Sequence, residues 1–203
     1  IDGAFNVTKV GAGTTTFSAT NTYTGTTTIN AGILSITSDR ALGATAGSLD
    51  ANAITLNGGA LQGAATFTLD SNRGITLTAN SGLAATGSYV MTYGGVIDGG
   101  YNLTINGNSQ TGTVILSGSN TYTGTTTVGR GVLEVSSIDS IGGSGSITNN
   151  GSINLNFSGT ADLSRVISGT GSLIYSGTGT TILSATNTYT GATYVNAGVL
   201  KVT

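Results

Sequence analysis

The feature that most constrains this chain is a stretch of sixteen residues that occurs three times. It reads NTYTGTTTINAGILSI at Asn21–Ile36, NTYTGTTTVGRGVLEV at Asn120–Val135 and NTYTGATYVNAGVLKV at Asn187–Val202. The similarity extends upstream of each copy, so three repeat blocks cover residues 1–36, 97–135 and 167–202. Repetition on this scale is typical of chains that stack one small structural unit on the next. Residues 1–203 are therefore predicted to form a single repetitive segment of something longer.

Short apolar runs between turn residues predict strands throughout the chain. Runs such as Ile54–Leu56, Leu103–Ile105 and Leu173–Tyr175 are short and are flanked by Gly, Asn, Asp or Ser. The 34 glycines permit sharp turns, and because proline is absent every backbone N–H after the first residue can join a ladder. No window has a 3.6-residue period, so we expect almost no helix. Disorder is disfavoured because the apolar residues alternate regularly within repeating segments.

The spacing of the copies distinguishes between all-β architectures. From Asn21 to Asn120 and from Asn120 to Asn187 the motif advances by 99 and then by 67 residues. A coil of roughly 22 residues makes the second interval about three coils, and the first adds one further coil and an insertion. A sandwich or barrel of hairpins gives no reason for near-identical blocks. The sequence therefore predicts an all-β parallel β-helix (β-solenoid) of roughly nine coils.

The repeat motif supplies the residues that we expect to build the helix. In each copy these are the Asn, Tyr and Gly of NTYTG, a β-branched residue, a second Gly, and the two apolar residues of L-x-V. They are Asn21, Tyr23, Gly25, Ile29, Gly32, Leu34 and Ile36; Asn120, Tyr122, Gly124, Val128, Gly131, Leu133 and Val135; and Asn187, Tyr189, Gly191, Val195, Gly198, Leu200 and Val202. The aliphatic members are predicted to stack as core ladders, and the second Gly of each copy to form a corner with permissive φ.

Two further features of the motif leave alternatives open. The Asn side chains are expected to satisfy backbone groups at corners, although Asn beside Tyr would also suit contact with a sugar. The runs Thr26–Thr28 and Thr125–Thr127 resemble the Thr arrays of ice-binding solenoids, but they do not recur on successive coils. The stretches Ser38–Ser48 and Ser136–Ser146 lack alternation and are predicted to be loops.

The composition leaves little room for catalysis or metal binding. Because His and Cys are absent, His-based triads, thiol nucleophiles and the common zinc sites are excluded. Asp70 with Arg73 and Asp162 with Arg165 are expected to have surface or turn-capping roles. The run GGSGS resembles a calcium nonapeptide, but Ile147 stands where the motif needs Asp. We therefore predict no catalytic residue, no metal site and no cofactor.

The frame I-[DS]-G, a Gly-rich turn, N-T-Y-T-G and G-x-L-x-V closely resembles the autotransporter-associated β-strand repeat, also called the passenger-associated transport repeat. Block two departs from it at the turn Gly107–Gly112 and at Gly129 and Arg130. The resemblance implies a right-handed parallel β-helix in the secreted passenger of a type V secretion autotransporter. It also implies a place at the bacterial cell surface, with an outer-membrane β-barrel anchor that is not in this chain.

This resemblance implies a non-enzymatic structural segment that serves as a stalk and promotes export, with an adhesin surface as a further role. The alternatives are a polysaccharide-binding or polysaccharide-degrading β-helix, or the stalk of an enzyme whose catalytic domain lies outside this chain. The partners we expect are neighbouring coils and an unidentified host or bacterial surface ligand. Neither end reads as a cap, so end-to-end self-association is also expected. With a formal charge of −2 and no basic cluster, a nucleic-acid partner is not expected.

Overall fold

The computed structural model describes residues 1–203 as a succession of short strands with two four-residue 3-10 helices. The first half contains β1 (Val7–Lys9), β2 (Thr14–Phe17), β3 (Thr27–Ile29), β4 (Ile33–Ile36), η1 (Asp39–Leu42), β5 (Asp50–Leu56), β6 (Ala60–Gly63), β7 (Phe67–Leu69), β8 (Arg73–Leu77), β9 (Ser81–Ala85), β10 (Val90–Tyr93) and β11 (Ile97–Gly99). The second half contains β12 (Leu103–Ile105), β13 (Thr113–Leu116), β14 (Thr126–Val128), β15 (Val132–Val135), η2 (Ile138–Ile141), β16 (Ile147–Asn149), β17 (Ser152–Leu155), β18 (Thr160–Leu163), β19 (Ile167–Ser168), β20 (Ser172–Tyr175), β21 (Thr180–Leu183), β22 (Thr193–Val195) and β23 (Val199–Val202).

All strand pairs are parallel, as a β-helix requires. Sheet A has the order β1-β3-β5-β8-β11, and sheet B the order β2-β4-β6-β9-β12-β14-β16-β19. Sheet C has the order β7-β10-β13-β15-β17-β20-β22, and sheet D the order β18-β21-β23. Thr126 pairs with Ile147 and Ile147 with Ile167, so one coil takes about twenty residues. The predicted fold, an all-β solenoid of about nine turns with essentially no helix, is confirmed.

Sheets A and D occupy one face of the solenoid, where a stretch without strands separates them. Above β11, the backbone N–H groups of Thr121 and Tyr122 donate to the Ile97 carbonyl. One coil further on, Gly143 N, just after η2, donates to the Tyr122 carbonyl, and η2 contacts β18. On this face, hydrogen-bonded backbone therefore continues from sheet A through the second motif and η2 to sheet D. The solenoid thus has three faces.

Each copy of the motif begins one sheet further around the solenoid than the copy before it. The two strands of the first copy, β3 and β4, lie in sheets A and B. Those of the second copy, β14 and β15, lie in sheets B and C, and those of the third, β22 and β23, lie in sheets C and D. The blocks are therefore not separated by whole numbers of coils, and the NTYT segment interrupts a different face each time.

The core consists of inward ladders of aliphatic side chains. In sheet B the paired positions Leu34, Leu61, Leu83, Ile105 and Val128 are all fully buried. They belong to one cluster of 34 buried residues that runs along the solenoid. Burying an aliphatic side chain of this size contributes about 1.5–3 kcal/mol, so the stack of coils rests on these ladders. Neither 3-10 helix is long or apolar enough to cross a membrane.

The predicted core residues behave differently in the third copy. The aliphatic residues of the first two copies are fully buried: Ile29, Leu34, Ile36, Val128, Leu133 and Val135. In the third copy Val195 is 53% exposed and Val202 is 74% exposed, whereas Leu200 is half-buried. The prediction of core burial is therefore wrong for Val195 and Val202, which no further coil within residues 1–203 covers, whereas Leu200 packs partly buried against the core.

Candidate functional site

The asparagine that opens each motif joins adjacent coils through its side-chain amide. The Asn120 Oδ1 accepts a hydrogen bond of 2.8 Å from Ile97 N on the coil below, and its Nδ2 donates one of 2.6 Å to the Ser140 carbonyl on the coil above. Asn21 makes the equivalent bonds, 2.7 Å from the chain N-terminus and 2.6 Å to the Ala41 carbonyl. Because the strands are interrupted here, the amide satisfies backbone groups that a ladder would otherwise pair.

The tyrosine of each motif fills the space beneath this corner. Tyr23 and Tyr122 are fully buried, and their hydroxyls lie 2.7 Å and 2.6 Å from the Oγ1 atoms of Thr27 and Thr126. The Tyr122 hydroxyl also donates to the Ile141 carbonyl of the next coil. Since neither ring reaches the surface, these two tyrosines cannot contact a sugar in the folded chain. Their contacts are those of packing residues.

A short loop on the following coil covers each of these tyrosines. In both loops a 3-10 helix ends on a glycine with positive φ, Gly43 at 80° and Gly142 at 81°. A Cβ at Gly43 would collide with the carbonyl oxygen of Tyr23 and one at Gly142 with the ring of Tyr122, so the close approach requires glycine. Leu42 and Ile141, which precede the glycines, are buried in the core. The predicted loops Ser38–Ser48 and Ser136–Ser146 thus each cover a tyrosine. We call them the first and the second covering loop.

An arginine from a later coil fixes the first covering loop. Arg73 is only 5% exposed, and its Nε lies 2.8 Å from Asp39 Oδ1. Its Nη1 donates to the Leu42 carbonyl at 3.0 Å and its Nη2 to the Gly43 carbonyl at 2.7 Å. The guanidinium therefore satisfies the carbonyls at the end of η1 and neutralises the carboxylate at its start.

Arg165 does the same for the second covering loop with fewer partners. Its Nη1 donates to the carbonyls of Gly142 at 2.5 Å and Gly143 at 2.7 Å, and its Nη2 to that of Ile138 at 3.3 Å. No carboxylate lies within ion-pair distance of Arg165. Both covering loops are therefore anchored by an arginine from a later coil, but only the first is anchored by an ion pair.

These contacts revise the expected roles of the two Asp–Arg pairs. Asp70 caps its own turn, since its Oδ1 accepts a 2.8 Å bond from Asn72 N. The ion-pair partner of Arg73 is Asp39, from the first covering loop, and Arg73 is buried, so a surface role for Arg73 is wrong. The side chain of Asp162 accepts a bond of 2.5 Å from the Ser184 hydroxyl on the next coil.

Burial and charge shift several pKa values at these corners. Burial raises the pKa of Tyr122 to about 12, although its bond with Thr126 and the charge of Arg165 act in the opposite direction. Burial also raises the pKa of Tyr23. For Asp39 burial alone would raise the pKa, but hydrogen bonds from Arg73 and Asp70 N and the Arg73 charge hold it below its usual value. These shifts favour a neutral tyrosine and an ionised aspartate, which are the forms that make the Tyr–Thr hydrogen bonds and the Arg73–Asp39 ion pair.

The predicted corner glycines adopt the backbone that was expected of them. The φ angles of Gly32, Gly131 and Gly198 are 66°, 57° and 55°. The covering loops were predicted only as loops, yet the sequence holds a signal for them. Gly43 follows Ile36 by seven residues and Gly142 follows Val135 by seven, with an aliphatic residue before each glycine. Comparing the stretches after the first two copies would have found this turn.

The site as a whole is a device for stacking coils, and its groups are engaged with one another. The buried arginine, aspartate and tyrosines all have protein partners. No group of three or more His, Cys, Asp or Glu side chains lies close enough together to hold a metal ion. The structure thus defines a repeat solenoid in which the first two motifs are each completed by the coil above.

Three segments of the chain match the family described as passenger-associated-transport-repeat, at residues 7–36, 109–135 and 173–202. The chain therefore carries three copies of this repeat, and the predicted resemblance is confirmed. The chain is also 37% identical, over 242 aligned positions, to the protein named Adhesin BmaC autotransporter from Brucella suis biovar 1 (strain 1330). That alignment covers 96% of this chain but only 7% of the relative's length. No solved structure matches the chain.

Proposed function

We propose that this chain is a non-enzymatic, structural segment of a secreted autotransporter passenger that is displayed at the bacterial surface. The observation that carries the proposal is that three transport repeats are built into one continuous solenoid, in which the second motif bonds to the coils on both sides. The relative's name describes an autotransporter and an adhesin, which supports a passenger role and an adhesive parent protein. The segment would contribute a stiff rod and its side surfaces.

The geometry gives a physical reason for a role in export. Each finished coil offers a row of backbone groups and an apolar floor on which the next coil can form, so folding can extend in one direction. At the second motif, the Asn120 amide and the Tyr122 hydroxyl add contacts that exist only after the next coil has stacked. Such a segment would fold as it emerges and would resist slipping back. Anchoring by an outer-membrane β-barrel outside this segment completes the proposal.

Surface display of the passenger that contains this segment tests the proposed role. We expect Tyr122→Ala to lower the amount of passenger that added protease can cleave on intact cells, because it empties a fully buried site and removes the bond to Ile141. Thr123→Ala, next to it and exposed, is the matched control. Equal display of the two variants, at equal expression, would contradict a role for the motif in export.

Self-association end to end stays a prediction for the segment in isolation. On the last coil the side chains of Tyr194, Val195, Val199 and Val202 are exposed, and β22 and β23 each have an unpaired edge. Such edges recruit further strands. Sedimentation of the isolated segment should show a mass that increases with concentration. A monomer at all concentrations, with both end coils protected from hydrogen exchange, would contradict the prediction.

A further inference from the structure

A groove on the outer face of sheet B lies apart from the Asn and Tyr contacts of the motif, although the corner residue Gly32 is among its lining residues. Its floor is formed by outward positions of β6, β9 and β12, where Ala60 pairs with Gly82 and Gly82 lies beside Thr104. Because these side chains are small, the surface is hollow here, and the turn Gly107–Gln110 rises beside it. The groove has a volume of about 280 Å³. This lies near the lower end of small-ligand sites, which typically have about 300–1,000 Å³.

The wall of the groove is the turn at which block two departs from the repeat. Seven residues separate β12 from β13, whereas four separate the corresponding strands β1 and β2, or β20 and β21. Three non-glycine residues in or next to this turn have positive φ: Asn106 at 50°, Asn108 at 53° and Ser109 at 66°. Strained backbone of this kind clusters at ligand sites, where the surrounding structure holds it in place.

The buried amide of Asn106 holds this strained turn in place. Its Oδ1 accepts a bond of 2.9 Å from Ala85 N, and its Nδ2 donates one of 2.7 Å to the Gly112 carbonyl. Asn106 is completely buried, and its two bonds fix the start of the turn to β9 and to Gly112, the last residue of the turn. Buried hydrogen bonds therefore hold the wall of the groove in a defined conformation, and the Asn and Tyr contacts of the motif take no part in this.

The second and independent observation is a buried amide that lacks a partner. Gln62 lines the groove and is only 7% exposed, yet its Oε1 accepts no hydrogen bond. Its Nε2 has one contact, 3.4 Å from the Ser35 hydroxyl. Turning the amide over would leave the nitrogen without a partner instead of the oxygen, so one polar atom is unpaired in either orientation. An unpaired buried polar atom destabilises a protein unless a bound group supplies the missing partner.

The chemistry of the groove selects the class of ligand. None of the residues that line it is charged, which disfavours phosphates, sulfates and other ionic ligands. The strands of the floor, β6 and β9, are each paired on both sides, so an extended peptide cannot add to them as a further strand. The amides of Gln62, Asn108 and Gln110 and the hydroxyl of Thr104 can both donate and accept. Sugar hydroxyls have the same double capacity.

We propose that the sheet B groove binds an uncharged saccharide unit of a surface glycan, with the Gln62 amide hydrogen-bonded to one of its hydroxyls. This proposal adds a ligand to the structural role. Its failure would leave the role in export untouched, because the groove residues make none of the Asn and Tyr contacts of the motif.

The test is glycan binding by the folded protein and by matched variants. An array carrying neutral oligosaccharides of glucose, galactose and N-acetylglucosamine beside sialylated and sulfated ones would identify a probe, whose affinity is then measured by calorimetry. We expect neutral glycans to bind, and Gln62→Leu and Thr104→Val each to weaken the strongest neutral probe at least about tenfold. Thr148→Val is the control, because Thr148 occupies the same outward row of sheet B two strands further on, outside the groove.

The same experiment contains the results that would overturn the proposal. The melting temperature of Gln62→Leu should be no lower than that of the unsubstituted protein, since an apolar side chain of similar size replaces an unpaired buried amide. A lower melting temperature with unchanged glycan affinity would assign Gln62 a purely structural role. Preferential binding of sialylated or sulfated glycans, or no glycan binding by the folded protein, would each refute a site for neutral saccharides.

Discussion

The second and third copies of the motif share eleven of their sixteen residues but have different surroundings. Tyr122 is fully buried whereas Tyr189 is half-buried, and Val135 is fully buried whereas Val202 is 74% exposed. Both tyrosines keep their bond to the threonine four residues later, at 2.6 Å and 2.7 Å. The local conformation of the motif is therefore independent of its cover. Full burial and the bonds to the coil above come from the covering loop, which its arginine holds in place.

The asparagines show the same division between local and stacked contacts. The Asn120 amide reaches the coil below and the coil above. The Asn187 Oδ1 keeps the bond to the coil below, at 2.8 Å from Ile167 N, but its Nδ2 donates to Ala185 O in its own coil. The motif is thus half of a site, and the next coil supplies the other half. Substitutions that remove contacts with the covering coil should therefore destabilise the second copy more than the third. Substitutions that remove only local contacts should affect both copies equally.

The largest effect is expected where a cover is held by a buried ion pair. Arg73→Leu should lower the free energy of unfolding by about 3–5 kcal/mol, because it leaves Asp39 without its counter-charge and the carbonyls of Leu42 and Gly43 without donors. Urea unfolding would measure it. The control is Arg130→Leu, at an exposed arginine with no side-chain bond, which should stay within about 0.5 kcal/mol. Similar losses for both would show that the cover contributes little.

The core leucines give a direct comparison of two copies. Leu133→Ala should cost about 2–5 kcal/mol, because it leaves a cavity between coils. In the segment of residues 1–203, Leu200→Ala, at the same place in the third copy, should cost about 1 kcal/mol or less, since Leu200 is only half-buried there. Thr125→Ala, on a half-buried turn, should change stability little. Denaturant melts with equal shifts at Leu133 and Leu200 would contradict the difference between the copies.

The stability losses at Asn120 and Asn187 should differ in the same direction as those at Leu133 and Leu200, but by less. Asn120→Ala leaves Ile97 N and the Ser140 carbonyl unpaired in a buried corner, which should cost about 1–3 kcal/mol. Asn187→Ala removes a single bond between coils, so a smaller loss is expected. Thermal melts of the two variants would decide the order. A larger loss at Asn187 would mean that the contact to the coil below dominates.

The smallest expected effect is the change in stability with pH that comes from titration of Tyr122. Because burial raises the pKa of Tyr122 above the usual value of 10, its neutral form contributes stability that is fully present below pH 10. That contribution is lost as the pH rises through the folded-state value of about 12. Stability measured against pH should therefore fall in this alkaline window, and Tyr122→Phe should flatten the fall. An identical profile in the variant would show that Tyr122 is not responsible.

Much of this architecture is predictable from sequence because it is local and repeated. The period-two runs predict the strands, and the glycine before each L-x-V predicts a corner with positive φ. The exposure of Val202 is not predictable from its motif, because burial depends on which coil lies above. The pairing of Arg73 with Asp39, 34 residues earlier, depends on how the intervening coils wind.

The rotation of the copies around the solenoid was also beyond the reach of the sequence. It depends on coil lengths, and these vary. Thr27 pairs with Ile54, an interval of 27 residues, whereas Thr14 pairs with Ile33, an interval of 19. The groove beside Gln62 required the structure for the same reason, since Gln62, Gly82 and Thr104 come together only through the register of three coils. Sequence spacing alone does not give that register.

Hydrogen exchange of the backbone amides tests the central claim most directly, because it reports the two copies in one molecule. We expect the amides of Val132–Val135 to exchange only with global unfolding and those of Val199–Val202 to exchange much earlier, through local opening of an uncovered coil. Equal protection of the two strands, in a protein shown by sedimentation to be monomeric under the same conditions, would contradict the claim that the next coil completes the motif.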